Sequence, residues 1–245
     1  MNVCNKKGQL AIFVIVAIVI MVGLLFYYFV IRESAGSEVE SLKDLKLYEN
    51  VEDCITNDLV SGVKMVGLQG GYLVVPSSSV MLNSSKVAYG YYSGSNVLVS
   101  KEKLAEEISR YIEMSLEFCI NEDDYLDYVI KEGVASADVS VDDEFVSVVV
   151  NFPFFISDEE GSLSYDKEYK VRVPMRIGAM HKVAKEIIVK ESERSDWVSL
   201  SYLSTLDYNV TVMPYSDKIL IYELINSDIN DKYAPYVFRF AFEVK

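Results

Sequence analysis

No charge and no proline interrupts Leu10–Ile31 (LAIFVIVAIVIMVGLLFYYFVI). As a helix this run spans roughly 33 Å at about 1.5 Å per residue, enough to cross the hydrocarbon core of a bilayer. Core helices of soluble domains are usually interrupted by polar residues. A conventional cleaved secretory signal has a shorter apolar run and closes on a small-x-small site, and none is present here. The run therefore predicts one membrane pass over residues 9–31, with lipid as its partner. It divides the chain into a leader (1–8), the membrane helix (9–31), a polar juxtamembrane stalk (32–49) and a folded domain (50–245). Lys6 and Lys7 precede the run and Arg32 follows it. Two basic residues against one favour a cytoplasmic N-terminus. Tyr27 and Tyr28 suit the headgroup level at the far end. The C-terminal domain is then expected outside the cell membrane.

Charge narrows what that domain can meet. The formal net charge is −14, and removing Lys6 and Lys7 with the leader takes the remainder to −16. Such a surface repels phosphate backbones and anionic lipid headgroups, which excludes a nucleic-acid-binding role. Of the three cysteines, Cys4 belongs to the leader. Cys54 and Cys119 form an even pair in a compartment where disulfides persist, and a bond between them is expected. Two isolated cysteines and the distant His181 do not make a metal site, and no cofactor is expected.

Periodicity places both cysteines on helices. Val51, Ile55, Leu59, Val63 and Val66 recur at helical spacing over 50–67, with Asn50 as the expected N-cap and Gly70-Gly71 as the stop. Ser100 caps a second helix over 101–119, whose stripe is Leu104, Ile108, Ile112 and Leu116. Cys54 and Cys119 extend these two faces. Residues 72–76 (YLVVP) read as a short strand and 97–99 (VLV) as another. Residues 77–96 show neither period and read as a surface loop, with Tyr89, Tyr91 and Tyr92 as a candidate contact patch. Residues 120–132 read as an acidic connection without the ligand spacing of a calcium loop.

Strand periodicity then takes over at Ala137–Val141, Phe145–Ile156 and Tyr169–Val173, with turns at Asp142–Glu144 and Asp158–Gly161. Val148-Val149-Val150 suggests burial on both faces, and Pro153 demands an edge or a bulge. A third helix is expected over 176–193, with Ile177, Met180, Ala184, Ile187 and Ile188 inward and His181 beside them as a packing or surface residue rather than a base. Tyr208–Met213, Lys218–Leu224 and Tyr236–Val244 alternate as strands, the last expected to seal the core. The fold class is α+β: an antiparallel sheet packed with about three amphipathic helices. Asn83-Ser-Ser and Asn209-Val-Thr are candidate glycosylation sequons.

The tetrapeptide Lys6-Lys7-Gly8-Gln9 ahead of the apolar run resembles the archaeal class III signal peptide of type IV pilin-like proteins. The resemblance implies a prepilin peptidase as partner, cleavage between Gly8 and Gln9, and a retained hydrophobic helix that packs into a membrane or a filament. Phe13 stands where many type IV pilins carry a glutamate, and Gly36 interrupts the helix that many of them extend. Further along, Val51-Glu52-Asp53-Cys54, Leu68-Gln69-Gly70-Gly71-Tyr72, the helix ending in Cys119, Val171-Arg172-Val173-Pro174 and Val183-Ala184-Lys185-Glu186 together resemble single-pass surface proteins of small-genome archaea. That resemblance implies location and fold but no activity.

No G-x-S-x-G, HExxH or phosphate-binding loop occurs in the chain. The expected function is display, adhesion or filament and envelope assembly by a membrane-anchored extracellular protein, without catalysis and with self-assembly or envelope proteins as partners. One alternative is an unprocessed single-pass binding or envelope-organising module. Another is an anchored hydrolase, which would need a recessed carboxylate pair with a raised pKa.

Overall fold

A computed structural model describes residues 19–22, 24, 25, 27, 46–120, 129–157, 162–193 and 198–244. The leader, the Gly8–Gln9 junction, Phe13, Gly36, most of the apolar run and most of the stalk lie outside these residues. So do positions 121–128 and the expected turn at 158–161. The chain divides into two units, Met1–Asn50 and Val51–Lys245. In the first, residues 19–22, 24, 25 and 27 are helical, and Val19, Ile20, Met21, Val22, Leu24 and Leu25 are each more than half exposed. Among the described residues no helix is long and apolar enough to cross a membrane.

Three amphipathic helices organise the second unit. Helix α1 covers residues 46–68, of which 51–68 belong to this unit. It is helical four residues ahead of Asn50, which is therefore an interior position and not the expected cap. Val51, Ile55, Leu59, Val63 and Val66 are all fully buried, so the 3.6-residue period was legible in the chain. Gly70 and Gly71 end the helix at φ +80° and +92°, with the Gly71 N–H donating to the Val66 carbonyl at 2.9 Å. That left-handed turn favours glycine because it has no Cβ to clash.

Helix α2, Lys101–Ser115, starts where expected: the Ser100 hydroxyl oxygen accepts from the Lys103 N–H at 3.1 Å. The final expected turn tightens into a 3-10 turn, Leu116–Phe118, immediately before Cys119. Helix α3, Ile177–Ser192, buries Ile177, Met180, Ala184, Ile187 and Ile188. His181 joins this packing: its Nε2 lies 2.6 Å from the Val99 carbonyl oxygen and its ring meets Phe238 edge-on. A fourth, short helix α4 is Leu200–Leu203.

Several sheets replace the single antiparallel one expected. The largest contains β1 (Ser79–Leu82), β2 (Ser85–Tyr92), β3 (Ser95–Asn96), β10 (Asn209–Ser216), β11 (Ile219–Asn226) and β12 (Tyr236–Glu243), in the order β1-β2-β12-β11-β10 with β3 on β2. β12 is thus interior, and it runs parallel to β2 through Ala241–Tyr89 and Phe242–Tyr91. Tyr236, Phe238, Phe240 and Phe242 are buried along one face. On the other, Arg239 Nε donates to Glu223 Oε1 at 2.6 Å. The Arg176 N–H at the start of α3 donates to the Tyr236 hydroxyl at 2.8 Å.

The two smaller sheets are one meander bent in the middle. Its inner half is β5 (Ser136–Val141), β6 (Val146–Asn151) and β9 (Glu168–Val173). Its outer half is β4 (Val129–Glu132), β7 (Phe154–Ser157) and β8 (Ser162–Tyr165). Ser136 faces Asn151 while Glu132 faces Phe154, so Gly133–Ala135 oppose only Phe152 and Pro153. One extra residue on one strand is a bulge, and Pro153 sits at it as the sequence demanded. The Gly133 N–H donates to the Pro153 carbonyl at 2.7 Å.

Several readings need correction. Residues 72–76 are not a strand, and the second expected short strand falls at Ser95–Asn96 rather than 97–99. The expected loop 77–96 is instead a hairpin with a third short strand, closed by turns at Asn83-Ser84 and Ser93-Gly94. Ser93 and Gly94 both have positive φ, 50° and 78°, the geometry of a tight hairpin turn. The acidic connection yields β4 at its end. Val149 is partly exposed while Val148 and Val150 are buried, so β6 buries one face and not both.

Candidate functional site

Helix spacing brings Cys54 and Asp58 to one side of α1, because residues four apart share a face. The 3-10 turn after α2 delivers Cys119 to the same place. The Cα atoms of Cys54 and Cys119 are 5.6 Å apart and their sulfurs are at disulfide distance, 2.03 Å. Asp58 Oδ2 lies 3.8 Å from Cys54 Sγ and 3.6 Å from Cys119 Sγ. Burial pushes the Asp58 carboxyl above its ordinary range, and the Ser115 hydroxyl works the other way. The three side chains are half-buried and their ligand atoms lie within 4.8 Å of one another. The cysteine pair was legible in the sequence. Asp58 was missed, and the signal for it was the Cys54-x-x-x-Asp58 spacing on a helix.

A second acid does structural work. Glu107 is buried on α2. Its Oε2 accepts from the Leu73 N–H at 2.9 Å and the Val74 N–H at 3.4 Å, and its Oε1 lies 3.0 Å from Lys103 Nζ. Burial alone would raise its pKa, but Lys103 and the two backbone donors hold it below its usual range. This carboxylate supplies the partner that a neighbouring strand would have given residues 72–76, so the segment is ordered without being a strand.

The tyrosine patch does not survive as a unit. Tyr91 is only 5% exposed and stacks on Phe242 with ring centroids 4.7 Å apart. Tyr89 and Tyr92 lie together, 4.6 Å between centroids, and Tyr92 keeps the exposed place. The loop reading failed because β2 is covered on both faces, which erases the two-residue period. Asn83 is exposed in the β1–β2 turn and Asn209 is exposed at the start of β10, so both sequon asparagines are sterically open.

One open groove of about 560 Å³ runs between α2 and β5. Glu102, Glu106, Glu113, Asp138 and Asp142 line it against Lys101 and Arg110, so acids outnumber bases and its walls repel anionic ligands. It contains no histidine, cysteine or buried carboxylate. Instead it marks where α2 covers the edge of β5: the Ala137 N–H donates to Glu113 Oε1 and the Val139 N–H to Ser109 Oγ, each at 3.1 Å. No protein-family model, curated protein or solved structure matches the chain.

Proposed function

We propose that the chain is a membrane-anchored extracellular surface protein of the pilin-like class, acting in display, adhesion or envelope assembly without catalysis. The observation that carries this reading is the uncharged run Leu10–Ile31 directly behind Lys6-Lys7-Gly8-Gln9. The broad exposure of Val19–Val22, Leu24 and Leu25 supports it, because such a helical surface is covered by lipid or by other apolar helices rather than left in water. The acidic charge and the cysteine pair on α1 and the turn after α2 fit a domain working outside the membrane. The surface offered to partners is the second unit, including the Ser93-Gly94 turn beside Tyr92.

The test is the intact mass of the protein isolated from its native membrane without reduction. The expected mature chain begins at Gln9 and is two hydrogen atoms lighter for the Cys54–Cys119 bond. A chain that retains Met1 or Asn2 and Cys4 removes the pilin-like reading. It leaves the unprocessed single-pass module, which Phe13 favours.

A further inference from the structure

Geometry around Asp58 supports a second chemistry for the cysteine pair. In a tetrahedral zinc site with metal–sulfur bonds near 2.3 Å and metal–oxygen bonds near 2.0 Å, neighbouring sulfur and oxygen ligands sit about 3.5–3.6 Å apart. Asp58 Oδ2 already lies 3.8 Å from Cys54 Sγ and 3.6 Å from Cys119 Sγ. Two of the three ligand-to-ligand edges are therefore close to the length that such an ion requires. The third edge is closed while the two sulfurs are bonded to one another. We propose that reduction of the Cys54–Cys119 disulfide opens a two-cysteine, one-aspartate site for a thiophilic divalent cation of the zinc class.

The chemistry balances with a dithiol as reductant. Its two electrons break the S–S bond, it leaves as its own cyclic disulfide, and Cys54 and Cys119 emerge as thiols. On metal binding each thiol loses its proton to solvent, and two thiolates with one carboxylate surround the ion. Water would fill the fourth position. With the Cα atoms 5.6 Å apart, the unbonded sulfurs would have to part to about 3.8 Å, the edge of a tetrahedral two-sulfur site. All three residues are half-buried, which admits both reductant and ion. The site would exchange one cross-link between α1 and the end of α2 for another, so the helix pair stays fastened in either redox state.

The full chain in detergent micelles is titrated with cadmium, whose thiolate complexes absorb in the ultraviolet, before and after reduction by a non-thiol phosphine. The reduced protein is expected to take up one equivalent with the thiolate charge-transfer band, and the oxidised protein none. Asp58→Asn should retain the band but bind at least tenfold more weakly, while its oxidised form melts like the parent. Cys119→Ser should lose the band. No band in the reduced parent, or equal affinity in Asp58→Asn, overturns the proposal. Should reduction unfold the chain, restoration of the native circular dichroism by cadmium supports the site, and failure to restore it overturns it.

Discussion

Residues 129–141, 146–157 and 162–173 each pass through both halves of the bent meander, yet the two halves meet different surroundings. In the inner half, Val139–Val148–Val171 and Val141–Val146–Val173 form buried cross-strand rows. Helix α2 lies along β5 and takes two of its outward N–H groups. In the outer half, β4, β7 and β8 make their main contacts with one another, and Val129 and Phe155 are more than half exposed. Phe154 and Tyr165, stacked at 4.9 Å beside the bulge, are the buried exceptions. The same alternation therefore yields a buried core in the inner half, where α2 also covers the edge strand, and, among the described residues, a more exposed ribbon in the outer half. Covering the edge also removes the template for unwanted strand addition.

The sharpest way to break this contrast is a matched pair of charges. Val148→Asp buries an unpaired carboxylate in the inner half, and a loss of more than about 4 kcal/mol is expected, enough to abolish cooperative denaturant unfolding. Phe155→Asp, in the outer half of the same strand pair, should stay within about 0.5 kcal/mol of the parent. Equal losses would mean that both halves are core.

The next effect comes through the helix that makes the difference. Replacing Cys54 and Cys119 together by serine releases a long loop, and roughly 4 kcal/mol of stability should be lost in the chain-entropy picture. Amide exchange should quicken in α2 and β5 before it quickens in β7. Uniform quickening would show that α2 does not hold the inner half selectively.

The smallest effect is a pH slope at α3. Burial lowers the His181 pKa below its ordinary value despite the Val99 carbonyl, with Lys101, Glu102 and Lys185 as the charged neighbours. A depressed folded value means that the unfolded chain binds the proton more readily. His181 therefore contributes fully above its unfolded value of about 6.5 and loses that contribution as pH falls below it. His181→Gln should flatten the fall in melting temperature between about pH 7 and 5. An unchanged slope would place the titrating group elsewhere.

How much of this was legible follows from the range of the forces involved. The stripes of α1, α2 and α3, the Ser100 cap, the Gly70-Gly71 stop, the kink at Pro153 and the alternation of β12 could all be read. Each depends on residues within a few positions of one another, where backbone sterics and helical or strand periods act. The α+β class follows from them. So does the cysteine pair, because each cysteine extends a stripe already visible.

Contacts across the chain decided the rest. Tyr91 is core because β2 lies parallel to β12, pairing residues near position 90 with residues near 241. Residues 72–76 are not a strand, and Glu107, more than thirty positions away, accepts the Leu73 and Val74 N–H groups instead. Val149 is partly exposed because only one face of β6 is covered. Asp58 meets both sulfurs because α1 and the end of α2 converge. Hydrophobic burial has no direction of its own. A sequence can say which faces must be covered, but only the packed chain settles what covers them.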